Sequence, residues 1–185
     1  MSSETLIKEG YLRISEVLRF FTSFAGIDAG VLEAKALVGT NVHKAIECYF
    51  NNVFYPLTEK EENYFQSFLK WQEKSGIVPT HKEIRLYDTD LMITGQVDMI
   101  ASVNNKSALF DFKTSAVKSE KIWALQGAFY FYLARRNKLD VGDSYFFVHL
   151  KNTGACAHIC DFTFTEELWN VCKSAVTLYR YFNKS

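Results

Sequence analysis

Apolar residues in this chain follow two rhythms. Helical spacing, three or four residues apart, runs through Val42, Ile46, Tyr49, Phe50 and Val53, and again through Tyr64, Phe65, Phe68, Leu69 and either Trp71 or Gln72. It recurs over residues 122–135 and in Leu168, Val171, Cys172, Ala175, Leu178 and Phe182, which are expected to face inward. Start and stop signals accompany these stretches. Thr40 or Asn41 is expected to cap the first, Thr58-Glu-Lys-Glu61 reads as a capping box for a helix ending near Gly76, and Thr165 with Glu166 and Glu167 opens the last. Strand-like runs fall near 82–88, 92–103, 107–114, 144–150 and 155–164. Residues 104–107, Asn-Asn-Lys-Ser, turn the second run into the third, and Asn152-Thr153-Gly154 turns the fourth into the fifth. Helices come first and a sheet with an embedded helix follows. This predicts an α/β fold with a mixed central β-sheet flanked by helices, formed as one domain over residues 1–185.

Charged residues interrupt the apolar strands at informative places. Side chains alternate along a strand, so Asp111 and Lys113 share one face while Phe110 and Phe112 point into the core from the other. Asp98 lies on the partner strand of the same hairpin. Two carboxylates and an ammonium at one spot suit a hard divalent cation, since Mg²⁺ is held by one or two carboxylates plus water and substrate phosphate. A solvated face with a surface ion pair would use the same residues, but the apolar runs around Asp98 and Asp111 argue for burial. Flanking segments add polar groups. His43 and Glu47 stand one helical turn apart, Glu83 opens the 82–88 run, and Gln126 and Tyr130 share a face of an otherwise apolar helix. Taken alone, His43 with Glu47 fits a surface pair, and Gln126 with Tyr130 fits satisfied core polars or, equally, a phosphate grip.

Taken in order, these residues resemble the PD-(D/E)XK nuclease superfamily, and within it the RecB-type exonucleases. Gly39 to His43, Glu83, Gly95 to Asp98, Asp111 to Lys113 and Gln126 to Tyr130 follow the order of that group's motifs. Ile14-Ser15-Glu16-Val17-Leu18 is similar to the short Ser/Thr-containing segment that often opens such domains. The resemblance spans residues 11–135 and implies a restriction-endonuclease-like core. It implies Mg²⁺ or Mn²⁺ held by His43, Asp98, Asp111 and the Phe112 backbone carbonyl, with Glu83 or Glu47 holding a second ion or its water. Asp98, Asp111, Lys113, Gln126 and Tyr130 would be the catalytic set. Ser15, Thr114, Ser115, Lys118 and Lys121, with Gln126 and Tyr130, would contact DNA. The implied activity is a metal-dependent deoxyribonuclease, an exonuclease processing DNA ends in recombination, repair or phage replication. A structure-selective or sequence-specific endonuclease and a non-catalytic DNA-binding module are the alternatives.

Composition changes this picture little. Net charge is zero, yet residues 1–112 carry 11 basic and 15 acidic side chains, while residues 113–151 carry 7 and 3. The positive excess therefore begins at the Asp-x-Lys motif and supports a phosphate-backbone track. No apolar run is long enough for a membrane helix, and the N-terminal residues lack a secretory pattern, so a cytoplasmic, intracellular protein is expected; the family resemblance implies a bacterial or phage-infected cell. Aromatic residues are 16% of the chain, enough for a substantial core. Cys48, Cys156, Cys160 and Cys172 are expected to be free thiols. Their spacing does not suit the four-cysteine iron–sulfur cluster of some RecB-type nucleases, in which one cysteine precedes the His motif. A homo-oligomer is compatible with the sequence.

Overall fold

The structure is a computed structural model and describes residues 8–22, 28–103, 105–116 and 118–183. In chain order its elements are β1 (Leu12–Arg13), α1 (Ile14–Phe20), α2 (Ala29–Phe50), α3 (Glu59–Ser75), β2 (Pro79–Asp88) and β3 (Ile93–Val103). They continue with β4 (Lys106–Lys113), α4 (Glu120–Arg136), β5 (Ser144–His149), β6 (His158–Thr163) and α5 (Glu166–Phe182). The strands form one mixed six-stranded sheet with helices on both faces, the α/β class expected. Among the described residues no helix is long and apolar enough to cross a membrane.

The sheet is built around β3. Its partner β2 runs antiparallel along one edge, from Pro79↔Ala101 to Asp88↔Ile93. The other edge is shared. Parallel β1 takes Ile93 and Thr94, and antiparallel β4 takes Met99 to Val103. Residues 95–98 of β3 lie between these two partners. Beyond β4 come β5, parallel to it, and β6, antiparallel to β5. The parallel β4–β5 pair needs a crossover, which α4 supplies. Asn105, with φ of 63°, closes the β3–β4 turn, and Asn104, the first residue of the expected turn, lies outside the described residues.

Alternation along β4 divides the core. Ala108, Phe110 and Phe112 pack with Val42, Ile46, Phe68 and Trp71 of α2 and α3. Leu109 points the other way, into a cluster with Ile14 and Val17 of α1, Phe129 and Leu133 of α4, and Trp169 and Cys172 of α5. The sheet is thus the middle of three layers, and Asp111 and Lys113 project to the α4 side with Leu109.

Several boundaries differ from the sequence expectation. Helix α2 starts a dozen residues before Thr40, at Asp28, whose carboxylate accepts the Val31 N–H at 3.2 Å. Thr40 lies inside the helix and bonds back to the Ala36 carbonyl, while Asn41 reaches Glu61 of α3. The added turns are mostly exposed, so no apolar stripe announces them. Val53 lies beyond the helix and is exposed. In α5, Leu168, Cys172 and Ala175 do pack inward, but Val171, Leu178 and Phe182 are exposed. Trp169, Val176 and Tyr179 take their places, because this helix has apolar residues on more than one side and periodicity alone does not fix its phase. Strand β2 begins at Pro79, earlier than expected, and β6 begins at His158, later than expected. The capping box at Thr58 and Glu61 is present, and α3 ends at Gly76 with φ of 60°.

Gly127 on α4 sets the distance between that helix and the sheet. A Cβ there would lie 2.0 Å from the ring of Tyr145, a buried β5 residue whose hydroxyl donates to the Ala124 carbonyl at 2.8 Å. Gly to Ala in a helix ordinarily stabilises by about 1 kcal/mol. Here the sign is expected to reverse, with Gly127→Ala costing about 1–3 kcal/mol through overpacking. A denaturant melt showing equal or greater stability for the variant would contradict this packing.

Candidate active site

The site forms where the ladder between β3 and β4 stops. The last pair is Met99↔Phe110. One residue further along β4 than Asp111, the Phe112 N–H donates to Asp98 Oδ2 at 2.8 Å, so a side-chain carboxylate takes a strand hydrogen bond. Gly95 allows the approach of the helices that close this gap. A Cβ at Gly95 would meet Ile14, Tyr130 and Leu133 at 2.8–3.1 Å, so α1 and α4 sit directly on β3 there.

Helix α2 brings His43 over the gap, with Nδ1 3.2 Å from Asp98 Oδ2. Glu83 arrives from β2. It holds a left-handed backbone, φ of 48°, in the middle of a strand, a conformation that costs a non-glycine residue about 1–3 kcal/mol. His43, Glu83 and Asp98 together offer ligand atoms that all lie within 4.8 Å of one another.

Asp111 stands beside this group and belongs to a second one. Its Oδ2 pairs with Lys113 Nζ at 2.5 Å, and its Oδ1 accepts from Gln126 Nε2 at 2.9 Å. Lys113 Nζ also donates to Gln126 Oε1 at 2.9 Å. The Gln126 amide therefore clamps acid and base from opposite ends. Its nitrogen also meets the Tyr130 hydroxyl at 2.7 Å, and Tyr130 itself is buried in the core.

The electrostatics show an excess of buried negative charge. Burial alone would lower the His43 pKa, but Asp98 and the other acids outweigh it and raise it to about 9. Asp98 is held below the usual carboxylate range: burial opposes this, and the facing His43 wins. Burial and the Asp98 charge push Glu83 up to about 7, against the hydrogen bond from Gln96. Burial pushes Asp111 up to about 6, against the pull of Lys113. Three carboxylates face two cationic groups. A divalent cation would relieve that imbalance, and His with carboxylate oxygens is a donor set that such ions accept.

The other predicted residues fall around this centre. Glu47 pairs with Lys44 at 2.6 Å, one turn along α2 from His43. Thr114 is half-buried at the end of β4, against Gly39 of α2. The Ser115 carbonyl accepts from His149 Nε2 at 2.6 Å, and Lys118 and Lys121 are exposed nearby in sequence. Ser15 is exposed on α1, whose Ile14 touches the Gly95 position. Cys48, Cys156, Cys160 and Cys172 are free thiols on α2, the β5–β6 connection, β6 and α5.

Sequence reasoning missed two participants. Gln96 donates to Glu83 Oε2 at 2.5 Å and accepts from Arg85, so it orients the strained acid. Its place directly after Gly95 was the only available signal. The Phe112 N–H was invisible, because backbone groups carry no sequence signature.

A family model described as the PD-(D/E)XK nuclease superfamily matches residues 57–176. No curated protein matches the chain in sequence. Among solved structures, one similar fold is the "Putative exonuclease" from Eubacterium rectale, with 12% identity, a TM-score of 0.61, and coverage of 98% of this chain and 84% of that one. Another is SSO0001, with 11% identity, a TM-score of 0.53, and coverage of 96% and 80%.

The buried charges carry a sign-definite consequence for stability. His43, Glu83 and Asp111 all bind protons more tightly in the folded protein than in the unfolded chain. Their stabilisation is complete below their unfolded pKa values and is lost as pH rises through about 6, 7 and 9. Asp98 has the opposite sign and matters only in acid. In chelator, the melting temperature is therefore expected to fall between pH 5 and pH 9, and divalent metal is expected to reverse the fall at the alkaline end. A melting temperature that climbs steadily over this range in chelator would refute the assignment of excess buried negative charge.

Proposed function

Because this chain belongs to the PD-(D/E)XK nuclease superfamily, we propose that it is a divalent-metal-dependent deoxyribonuclease, an exonuclease that hydrolyses phosphodiester bonds at DNA ends. The observation that carries this reading is the convergence of His43, Glu83 and Asp98 beside the clamped pair Asp111 and Lys113. A structural ion-pair network does not require a mid-strand left-handed acid.

His43, Glu83 and Asp98 would hold Mg²⁺ or Mn²⁺, with Asp111 and the Phe112 carbonyl as the neighbouring oxygen donors. Bound there, the cation would stabilise charge on the scissile phosphate and acidify the attacking water. Lys113, in contact with Asp111 and Gln126, would offset charge that builds on a phosphate oxygen. Gln126 keeps Lys113 and Asp111 in one geometry, and Tyr130 backs Gln126 from the core. Gln96 does the same for Glu83. Hydrolysis leaves a 5′-phosphate and a 3′-hydroxyl. The exposed Lys118 and Lys121 give sequence-independent contact with the phosphate backbone, which weakens as salt rises.

Two measurements test this reading. With Mg²⁺ or Mn²⁺, linear end-labelled DNA is expected to be degraded while circular DNA survives, and chelator is expected to stop the reaction. Cutting of circles would convert the reading to an endonuclease, and no cutting of any DNA would end it. Lys113→Ala and Asp111→Asn are expected to lower kcat by at least about 100-fold, a loss of the size seen when a charge-stabilising donor is removed, with the fold retained by circular dichroism. Calorimetry separates the roles. His43→Ala and Glu83→Gln are expected to weaken Mn²⁺ binding, while Gln126→Ala lowers turnover and leaves metal affinity nearly intact. Unchanged affinity in Glu83→Gln would remove Glu83 from the ligand set.

A further inference from the structure

A second candidate site lies at the other end of helix α2. A cavity of about 450 Å³ opens between the C-terminal ends of α2 and α3 and the start of β2. Its walls include Tyr49, Val53, Phe54, Val78 and Pro79, with Gln72 as a polar member. Phe54 is 88% exposed and Val78 is 73% exposed, so two apolar side chains stand in solvent around a concave surface. Large apolar side chains clustered at a cavity are a contact surface awaiting something.

Three observations define what fits. First, Gln72 donates to the Ile77 carbonyl, but its own Oε1 is buried and has no hydrogen-bond partner. Second, none of the side chains that line the cavity is charged, so an anion inside would lose its hydration without a counter-charge. Both features select a flat, apolar group that carries N–H donors, and neither suits an anion inside the cavity. Third, Lys82 stands on β2 between the cavity and Glu83. Its ammonium donates to the Phe50 carbonyl at 3.2 Å and to Asn51 Oδ1 at 2.5 Å, and it is exposed, with a third donor for an anion outside the cavity. Apolar walls, an acceptor inside and a cation at the rim match one nucleotide, with its base inside and its phosphate on Lys82.

The cavity is connected to the active site by two independent rulers. From His43 to Phe50 is seven residues of α2, about 10 Å of helix. From Pro79 to Glu83 is four residues of β2, about 13 Å of strand. Both lengths lie within the span of a few nucleotides of a bound strand.

We infer that this cavity receives one unpaired nucleobase of the strand bound at the active site, a few nucleotides from the scissile phosphate, stacked on Phe54. The inference rests on the deoxyribonuclease reading and specifies its substrate: a strand that is single at this position. Every base has a π-face and at least one N–H donor, so the contact is blind to sequence.

The test is an abasic scan. Binding of a labelled single-stranded oligonucleotide is measured by anisotropy in Ca²⁺, with one abasic nucleotide moved along the strand. The full-length protein is expected to lose roughly tenfold in affinity at one position, the range for loss of one base–aromatic stack. Phe54→Ala is expected to bind the intact strand as weakly as the parent binds the abasic one, and to show no sensitive position. Phe54→Trp is expected to restore the sensitivity. Phe54 is largely outside the core, so melting temperatures of these variants should match the parent. A flat scan with the parent, or a sensitive position that persists in Phe54→Ala, overturns the inference. Cleavage of unmodified DNA in Mn²⁺ is scored separately. Cleavage with flat scans removes the base pocket alone, and base-dependent binding without cleavage removes the nuclease reading alone.

Discussion

One hydrogen bond organises this molecule: the Phe112 N–H donating to the Asp98 carboxylate. In an unbroken sheet that N–H would bond a backbone carbonyl of β3. Here the ladder stops at Met99↔Phe110, and the short strand β1 occupies the same edge of β3 further along. The intervening backbone must satisfy its polar groups some other way, because buried unpaired N–H groups cost about 1–3 kcal/mol each. A carboxylate side chain meets that need and is held in place by doing so. The break that admits Asp98 also makes the space into which His43 and Glu83 reach.

That arrangement loads the interior with charge. The Asp98 charge raises the proton affinity of Glu83 and of Asp111, and His43 and Lys113 pull the other way. Buried like charges persist only when the surrounding structure holds them or a ligand compensates them. The surrounding structure does so through neutral amides. Gln126 ties Asp111 to Lys113, and Gln96 ties Glu83 to Arg85. Amides add no charge, so they fix positions without removing the imbalance that favours a cation. The same logic explains why α4 sits so close to the sheet. Gln126 reaches both partners because Gly127 next to it lets the helix approach Tyr145 and Gly95 lets β3 meet Tyr130 and Leu133.

The similar folds share only 11–12% identity with this chain, yet they align over nearly all of it. What recurs is the arrangement of layers around a sheet, with residue identity free to drift elsewhere. Core positions can exchange apolar side chains at constant volume.

The sequence by itself determined the local and the periodic. Alternation in residues 107–114 separates Asp111 and Lys113 from Phe110 and Phe112, and the structure places them on opposite faces. The capping box at Thr58 and the left-handed Gly76 bound α3 as their chemistry requires. The class of fold was legible because strands and helices impose fixed periods on their own residues, and the superfamily was legible only as a resemblance in the order of the motifs. Tertiary structure decided everything that depends on a second element. It placed Glu83 rather than Glu47 with His43 and Asp98, since which strand crosses a helix is not written in either segment. It extended α2 back to Asp28, where the added turns face solvent and leave no stripe. It chose Trp169 over Val171 as the inner face of α5, because both sides of that helix are apolar and only the partner surface selects one. It turned Gln126 and Tyr130 from two spaced polar residues into a bracket for Asp111 and Lys113, a relation that exists only once α4 lies across β4.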